Sequence, residues 1–261
     1  VTPVLATLAG VLGLAVGSFL NVVVHRVPLG LSVVRPASAC PRCRSAIRRR
    51  DNVPVLSWLL LRARCRDCGE PISARYPVVE AVTAVLFVLV VVRLGEGLGW
   101  AVPAYLYLAA IAVALALIDL DVHRLPDPIV LPSYPVLGLL LAVASWGTGQ
   151  WDALLRAAIG GAVLWFLYAV LAVVKPGGMG WGDVKLAGLL GASLAWLGWG
   201  ELLIGAFAAF LLGGAYSVAL LVSGRAGRRS GIPFGPWMLA GAAVGVGAGA
   251  ALWSGYVSLI V

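Results

Sequence analysis

Eight stretches of apolar residues, most of them about 20 long, decide what this chain can fold into. They lie near 3–23, 78–95, 100–118, 129–147, 154–174, 184–200, 202–223 and 237–258. About 20 helical residues cross roughly 30 Å of hydrocarbon, so each run is a candidate membrane span. The sixth is the shortest, and Trp199-Gly200-Glu201 marks its junction with the seventh. Charged residues make up 11% of the chain, against roughly 25% in soluble domains. That scarcity excludes a disordered, collagen-like or small disulfide-rich chain, and a soluble domain would lack the polar groups to cover its surface. The fold class expected is an all-α polytopic membrane protein of about eight transmembrane helices. The first run is too long for a removed signal peptide and has no basic segment before it. The chain begins at Val1 rather than Met, so its terminus is read as trimmed or processed.

The few charges then set orientation. Eleven of the 19 basic residues lie between Arg26 and Arg75, in the first loop. Arg124, Lys175, Lys185, Arg225, Arg228 and Arg229 fall in later loops on the same side, leaving only Arg93 and Arg156 opposite. Basic residues are retained in short cytoplasmic loops, which predicts loops one, three, five and seven inside and both termini outside. The net charge of +8 is concentrated beside the membrane, where attraction to anionic lipid head groups accounts for it. Membrane lipids, and not nucleic acid, are the partners it implies.

All four cysteines lie in that first loop. Cys40-Pro-Arg-Cys43 and Cys65-Arg-Asp-Cys68 are paired knuckles with 21 residues between them. Four thiolates suit tetrahedral zinc, and a two-residue spacer lets one turn supply two of them. Two disulfides or an iron site are the other readings, and a reducing cytosol disfavours the disulfides. Four ligands leave no open position, so the zinc would be structural.

Carboxylates in membrane spans are costly and mark function by default. Asp119 ends the third span and Asp183 opens the sixth. In the alternating topology both reach the cytosolic edge, although 64 positions separate them. Two close carboxylates share a proton, one activating water while the other polarises a carbonyl. Asp183 begins a helix and Asp119 ends one, so the dipoles favour the proton on Asp119. Asp121 is the alternative to Asp119. Asp127-Pro128 reads as an ordinary helix start, with Asp127 as N-cap. Glu80, one turn into the second span, either snorkels or lines the site. His25 and His123 flank arginines at inner helix ends, as interface anchors do. Gly177, Gly178, Gly180 and Gly182 permit either a flexible turn or close backbone approach to a substrate.

Together these motifs resemble the prepilin peptidase family, the type IV leader peptidases. The resemblance rests on Gly17-Ser-Phe-Leu-Asn21 through Pro28, on the knuckles with Asn52 to Trp58 between them, and on Arg75-Tyr76-Pro77-Val-Val-Glu80. It continues through Ile118-Asp119 to Asp127, Gly180-Trp-Gly182-Asp183-Val-Lys185 and Pro233-Phe234-Gly235-Pro236. It implies a GxGD-type intramembrane aspartyl protease with Asp119 and Asp183 as the catalytic pair. Such enzymes remove the basic leader from prepilins and pilin-like secretion subunits, after a glycine, in the bacterial inner membrane. Members with the four cysteines also methylate the new N-terminal residue using S-adenosylmethionine, for which the sequence offers no recognisable site. Glu80, Asp121, Asp127, Gly180, Gly182 and Lys185 are the candidate substrate-binding residues. The expected division is a first helix at 1–28, a zinc domain at 29–76 and a protease core at 77–261. A proton-relaying transporter and an assembly subunit with a docking zinc loop are the rival functions.

Overall fold

The computed structural model describes residues 2–175, 177–225, 227 and 231–260. Val1, Arg228 and Arg229, used above for the terminus and the charge pattern, lie outside the described residues. Among the described residues the chain is helical and forms no strand beyond two isolated bridges. The helices are α1 (Thr2–Arg26), α2 (Leu56–Leu60), α3 (Arg75–Leu94), α4 (Val102–Val122), α5 (Asp127–Thr148), α6 (Trp151–Val174), α7 (Trp181–Leu197), α8 (Trp199–Val222) and α9 (Gly235–Ser258). Seven of them are long and apolar enough to cross a membrane. The eighth long helix, α7, has 17 residues, the short limit of a spanning helix at roughly 17–25. This is multi-pass membrane architecture.

The break between α7 and α8 falls earlier than the apolar pattern suggests. Gly198 alone separates the two helices, in an extended conformation. Trp199, Gly200 and Glu201, expected to form the break, instead open α8. Glycine and an acid in a first turn weaken a hydropathy signal without preventing a helix from starting.

The chain divides into two compact units, one up to Ala114 and one from Leu115 on. In the first, α1 lies along α3. A Cβ on Gly13 would come within 2.6 Å of the Ala84 backbone, and one on Gly17 within 2.7 Å of that of Glu80. Without a hydrophobic drive between helices in lipid, such small residues are what allow backbones to pack closely. Asn21 Nδ2 donates to Tyr76 O at 3.3 Å, tying the end of α1 to the start of α3. Ala9, Phe87 and Val91 form a small core, against which Val102 and Leu106 of α4 pack.

In the second unit α7 is central and packs on α5, α6, α8 and α9. Leu186, Leu189, Leu190, Leu194 and Trp196 are buried, the all-round burial expected of a helix with no polar face. The last carbonyls of a helix have no partner within it. Here Arg156 of α6 supplies one, with Nε 2.6 Å from Ala195 O and Nη2 2.9 Å from Trp196 O. Arg156 was an exception to the charge pattern, and its duty at the end of α7 explains it. Large apolar side chains that remain outside, such as Phe166 and Phe207, form the surface that lipid covers.

Candidate active site and metal centre

The two cysteine knuckles are built on one backbone plan. In the first, Cys40 N–H donates to Ser45 O, Arg44 N–H to Cys40 O and Ile47 N–H to Ser38 O. The same three bonds recur 25 positions on, with Cys65 N–H to Glu70 O, Gly69 N–H to Cys65 O and Ile72 N–H to Ala63 O. An isolated bridge closes each turn, Ala39 with Ala46 and Arg64 with Pro71. The fourth residue after each leading cysteine is left-handed, Arg44 at φ 60° and Gly69 at φ 73°. Only the second is the residue this conformation favours.

These turns aim all four sulfurs at one point. The Sγ atoms of Cys40, Cys43, Cys65 and Cys68 lie within 4.8 Å of one another. Cys40 and Cys68 are 3.8 Å apart, and none of the four is disulfide-bonded. A tetrahedron with Zn–S bonds of about 2.3 Å has edges of about 3.8 Å, so the set fits a zinc ion. Around it Arg42 pairs with Glu70 at 2.7 Å and Arg48 with Asp67 at 2.8 Å. Arg66 holds Asp51 with both oxygens, and its guanidinium keeps the Asp51 carboxyl below the usual carboxylate range. The first two pairs are largely open to solvent and contribute little individually.

Glu80 serves this same unit. It is buried, and its Oε2 accepts the backbone N–H of Val55 at 2.7 Å. Val55 sits at φ 60°, ψ −50° in a tight turn closed by Leu56 N–H to Pro54 O. A β-branched residue there is a steric outlier. A buried carboxylate on its N–H holds it in place.

The second unit brings Asp119 and Asp183 together. Asp119, near the C-terminal end of α4, is buried, and its Oδ2 accepts the Gly235 N–H at 3.1 Å. Asp183 is the third residue of α7, half-buried, and its Oδ2 accepts the Gly180 N–H at 3.1 Å. That reach back to the N-cap is half of a capping box. The two carboxylates are close enough to interact electrostatically. The C-terminal end of α4 alone would place the proton on Asp119, but α9 also meets this carboxylate. Gly235 is the first residue of α9, so each carboxylate sits at a helix N-terminus and the helix ends do not distinguish them.

The other expected residues divide. Asp121 is exposed. Asp127 does not cap α5: no side-chain cap is made there, and its carboxylate takes Lys185 Nζ at 2.7 and 2.9 Å. Tyr134 of α5 also reaches α7, donating from its hydroxyl to Lys185 O at 2.6 Å. His25 and His123 are exposed. Gly180 supplies the N–H to Asp183, and a Cβ on Gly182 would meet Leu125 Cβ at 2.9 Å. Gly177 is left-handed at φ 78°.

Three contributors escaped the reading of single residues. Gly235 gives Asp119 its hydrogen bond, and a Cβ there would lie 2.6 Å from that same Oδ2. Leu125 packs against the positions of both Gly182 and Gly235. Tyr168 is buried with its ring 5.5 Å from Phe210 and 6.4 Å from Phe234, near enough to Asp183 to feel its charge. Gly235-Pro236 was the one usable signal, since Pro is favoured in the first turn of a helix, where backbone N–H groups have no partner within the helix.

Comparison with known proteins accounts for both units. Residues 11–94 match the bacterial peptidase A24 N-terminal domain, and residues 106–218 match the type IV leader peptidase family. A prepilin leader peptidase/N-methyltransferase of Aeromonas hydrophila is 40% identical over 86% of this chain and 84% of its own. One from Myxococcus xanthus is 43% identical over 87% of this chain and 67% of its own. One from Neisseria gonorrhoeae is 37% identical over 85% and 84%. No solved structure matches. With this identity extending over most of the sequence, and with two family matches in order along it, the chain belongs to the prepilin leader peptidase/N-methyltransferase family.

Proposed function

We propose that this protein is a membrane aspartyl endopeptidase that removes the basic leader of prepilins and pilin-like precursors, with Asp119 and Asp183 as its catalytic pair. The observation that carries the reading is the meeting of two carboxylates, 64 positions apart in sequence, at the ends of two apolar helices. One carboxylate takes a proton from water as the oxygen attacks the scissile carbonyl. The other, protonated, gives its proton to the carbonyl oxygen. The resulting diol collapses as the amide nitrogen receives the proton first taken from water and a diol hydroxyl returns its proton to the second carboxylate, so the C–N bond breaks and the pair regains its starting charge. Burial favours this sharing, because two neighbouring carboxylates out of water cannot both ionise cheaply.

A precursor with an apolar helix in the bilayer and a basic leader in the cytosol presents its scissile bond at the depth of these helix ends. The site and the cysteine module accordingly face the cytosol from the bacterial inner membrane, with both termini outside. The module at 29–76 is a structural zinc domain held by Cys40, Cys43, Cys65 and Cys68, and residues 77–261 form the protease core. Zinc there supplies a cross-link to a segment too small to build its own core. Methylation of the new N-terminus by S-adenosylmethionine follows from the relatives' second activity. Glu80, Asp121, Asp127, Gly180, Gly182 and Lys185 are proposed to serve the substrate, Glu80 through the Val55 turn that it holds.

The test mixes purified protein with a precursor pilin and measures product masses, with Asp119→Asn and Asp183→Asn as controls. Leader loss from wild type alone is expected, and no leader loss from wild type overturns the protease reading. A further gain of about 14 daltons that requires S-adenosylmethionine is the signature of one added methyl.

A further inference from the structure

We propose that α2 is an interfacial anchor that seats the cysteine module in the bilayer surface, its leucines among the acyl chains and its flanking arginines on anionic head groups. The short helix is two-faced. Ser57 and Trp58 turn toward the module, where Ser57 Oγ accepts the Val53 N–H at 2.9 Å and donates to Arg50 O at 3.2 Å. Trp58 Nε1 donates to Ile72 O at 3.0 Å, on the second knuckle. Leu56, Leu59 and Leu60, at the spacing of one helical face, are 57%, 57% and 82% exposed. A contiguous apolar face left open in this way marks an interaction surface.

Depth identifies what covers it. The turn that starts α2 is fastened at Val55 N–H to Glu80, the sixth residue of the spanning helix α3. Five helical steps place that bond about 7.5 Å inside the helix. Interfacial helices bury their apolar face roughly 5–10 Å into the head-group boundary, so α2 is held at the level where lipid begins. On the spanning helix α3 itself, Val78, Val82 and Val85 are likewise exposed. Exposed arginines adjoin it on both sides, Arg49 and Arg50 before and Arg62 and Arg64 after. Such clusters beside a membrane are drawn to anionic lipids. The occupant of this face is therefore the bilayer.

The test places an environment-sensitive fluorescent amino acid at position 60, or at position 85 in mid-span as reference. The full-length chain, cysteines intact, is reconstituted in nanodiscs of phosphatidylcholine and phosphatidylglycerol. Nitroxide-labelled lipids then quench from near the head group or from the chain end. Position 60 is expected to be quenched at least twofold more by the shallow label, and position 85 more by the deep one. Water-like, unquenched emission at 60 overturns the anchor, as does blue-shifted emission that neither label quenches, which would mean that protein covers α2. Omitting phosphatidylglycerol is expected to lower the shallow quenching, and an unchanged value overturns the role given to the arginines.

Discussion

Gly180-Trp181-Gly182-Asp183 and Gly198-Trp199-Gly200-Glu201 are one helix opening used twice. Each has glycine at the N-cap, tryptophan and glycine in the first two positions and a carboxylate in the third. Their surroundings differ. Leu125 fills the space above Gly182, and the charge of Asp119 acts on Asp183. Over Gly200 lies the Trp253 ring, and Glu201 packs on α9, where a Cβ on Gly249 would come within 2.8 Å of its Cα. The tetrapeptide starts a helix in both places. Chemistry is proposed only where a second carboxylate arrives from elsewhere in the chain.

The largest contrast to test is therefore between the two acids. Asp183→Asn or Asp119→Asn is expected to lower leader cleavage by roughly 10³-fold or more, the scale of lost acid–base catalysis. Glu201→Gln is expected to leave it within about twofold by the same assay. Comparable loss in Glu201→Gln would show that the opening itself, not the pairing, carries activity.

Next come the glycines that face the acids from α9. Gly235→Ala sets a methyl against the Asp119 oxygen, and a displacement near 1 Å at a reacting group costs about 10²-fold. Turnover of folded protein is expected to fall by that order. Gly249→Ala instead overpacks α8 on α9, costing about 1–3 kcal/mol, with activity per folded molecule unchanged. Thermal melts beside turnover rates separate the two, and a stability loss in Gly235→Ala large enough to explain its inactivity would dissolve the contrast.

How much of this was legible in the chain follows from where each contact comes from. The knuckles were readable because cysteine spacing dictates a local turn, and the 40–45 and 65–70 bonds are local. The spans were readable because lipid leaves a helix no other way to satisfy its backbone. The start of α8 was not, since Trp199-Gly200-Glu201 looks like an interruption until the extended Gly198 takes that part. Asp119 was nominated by its depth, but its hydrogen bond comes from Gly235, 116 positions away. Glu80 offered two readings and took a third, because Val55 returns to it from a folded loop.

A smaller effect is expected at the second glycine of each opening. Gly182→Ala presses on Leu125, which also borders Gly235, so cleavage is expected to drop about tenfold, a little over 1 kcal/mol of barrier. Gly200→Ala meets the Trp253 ring and is expected to lower only the melting temperature. Equal turnover losses in the two variants would show that crowding any helix start disturbs the enzyme.

The smallest contrast lies two residues beyond each acid. Lys185 is clamped to Asp127 at 2.7 Å, whereas the equivalent position of α8 is Leu203, with no charge to pair. Side chains 33% and 52% exposed make a pair worth about 0–1 kcal/mol, so neither Lys185→Met nor Asp127→Asn is expected to shift stability beyond that range. Their kinetic signs should differ. If Asp127 attracts the basic leader, Asp127→Asn raises KM by about two- to fivefold, the same energy expressed as binding. Lys185→Met releases that carboxylate from its partner and lowers KM by a similar factor, while the double variant follows Asp127→Asn. A mere clip between α5 and α7 would move both single variants the same way, in kcat as much as in KM. Opposite shifts in KM at constant kcat therefore assign Asp127 to the substrate and make Lys185 the cation that the leader displaces.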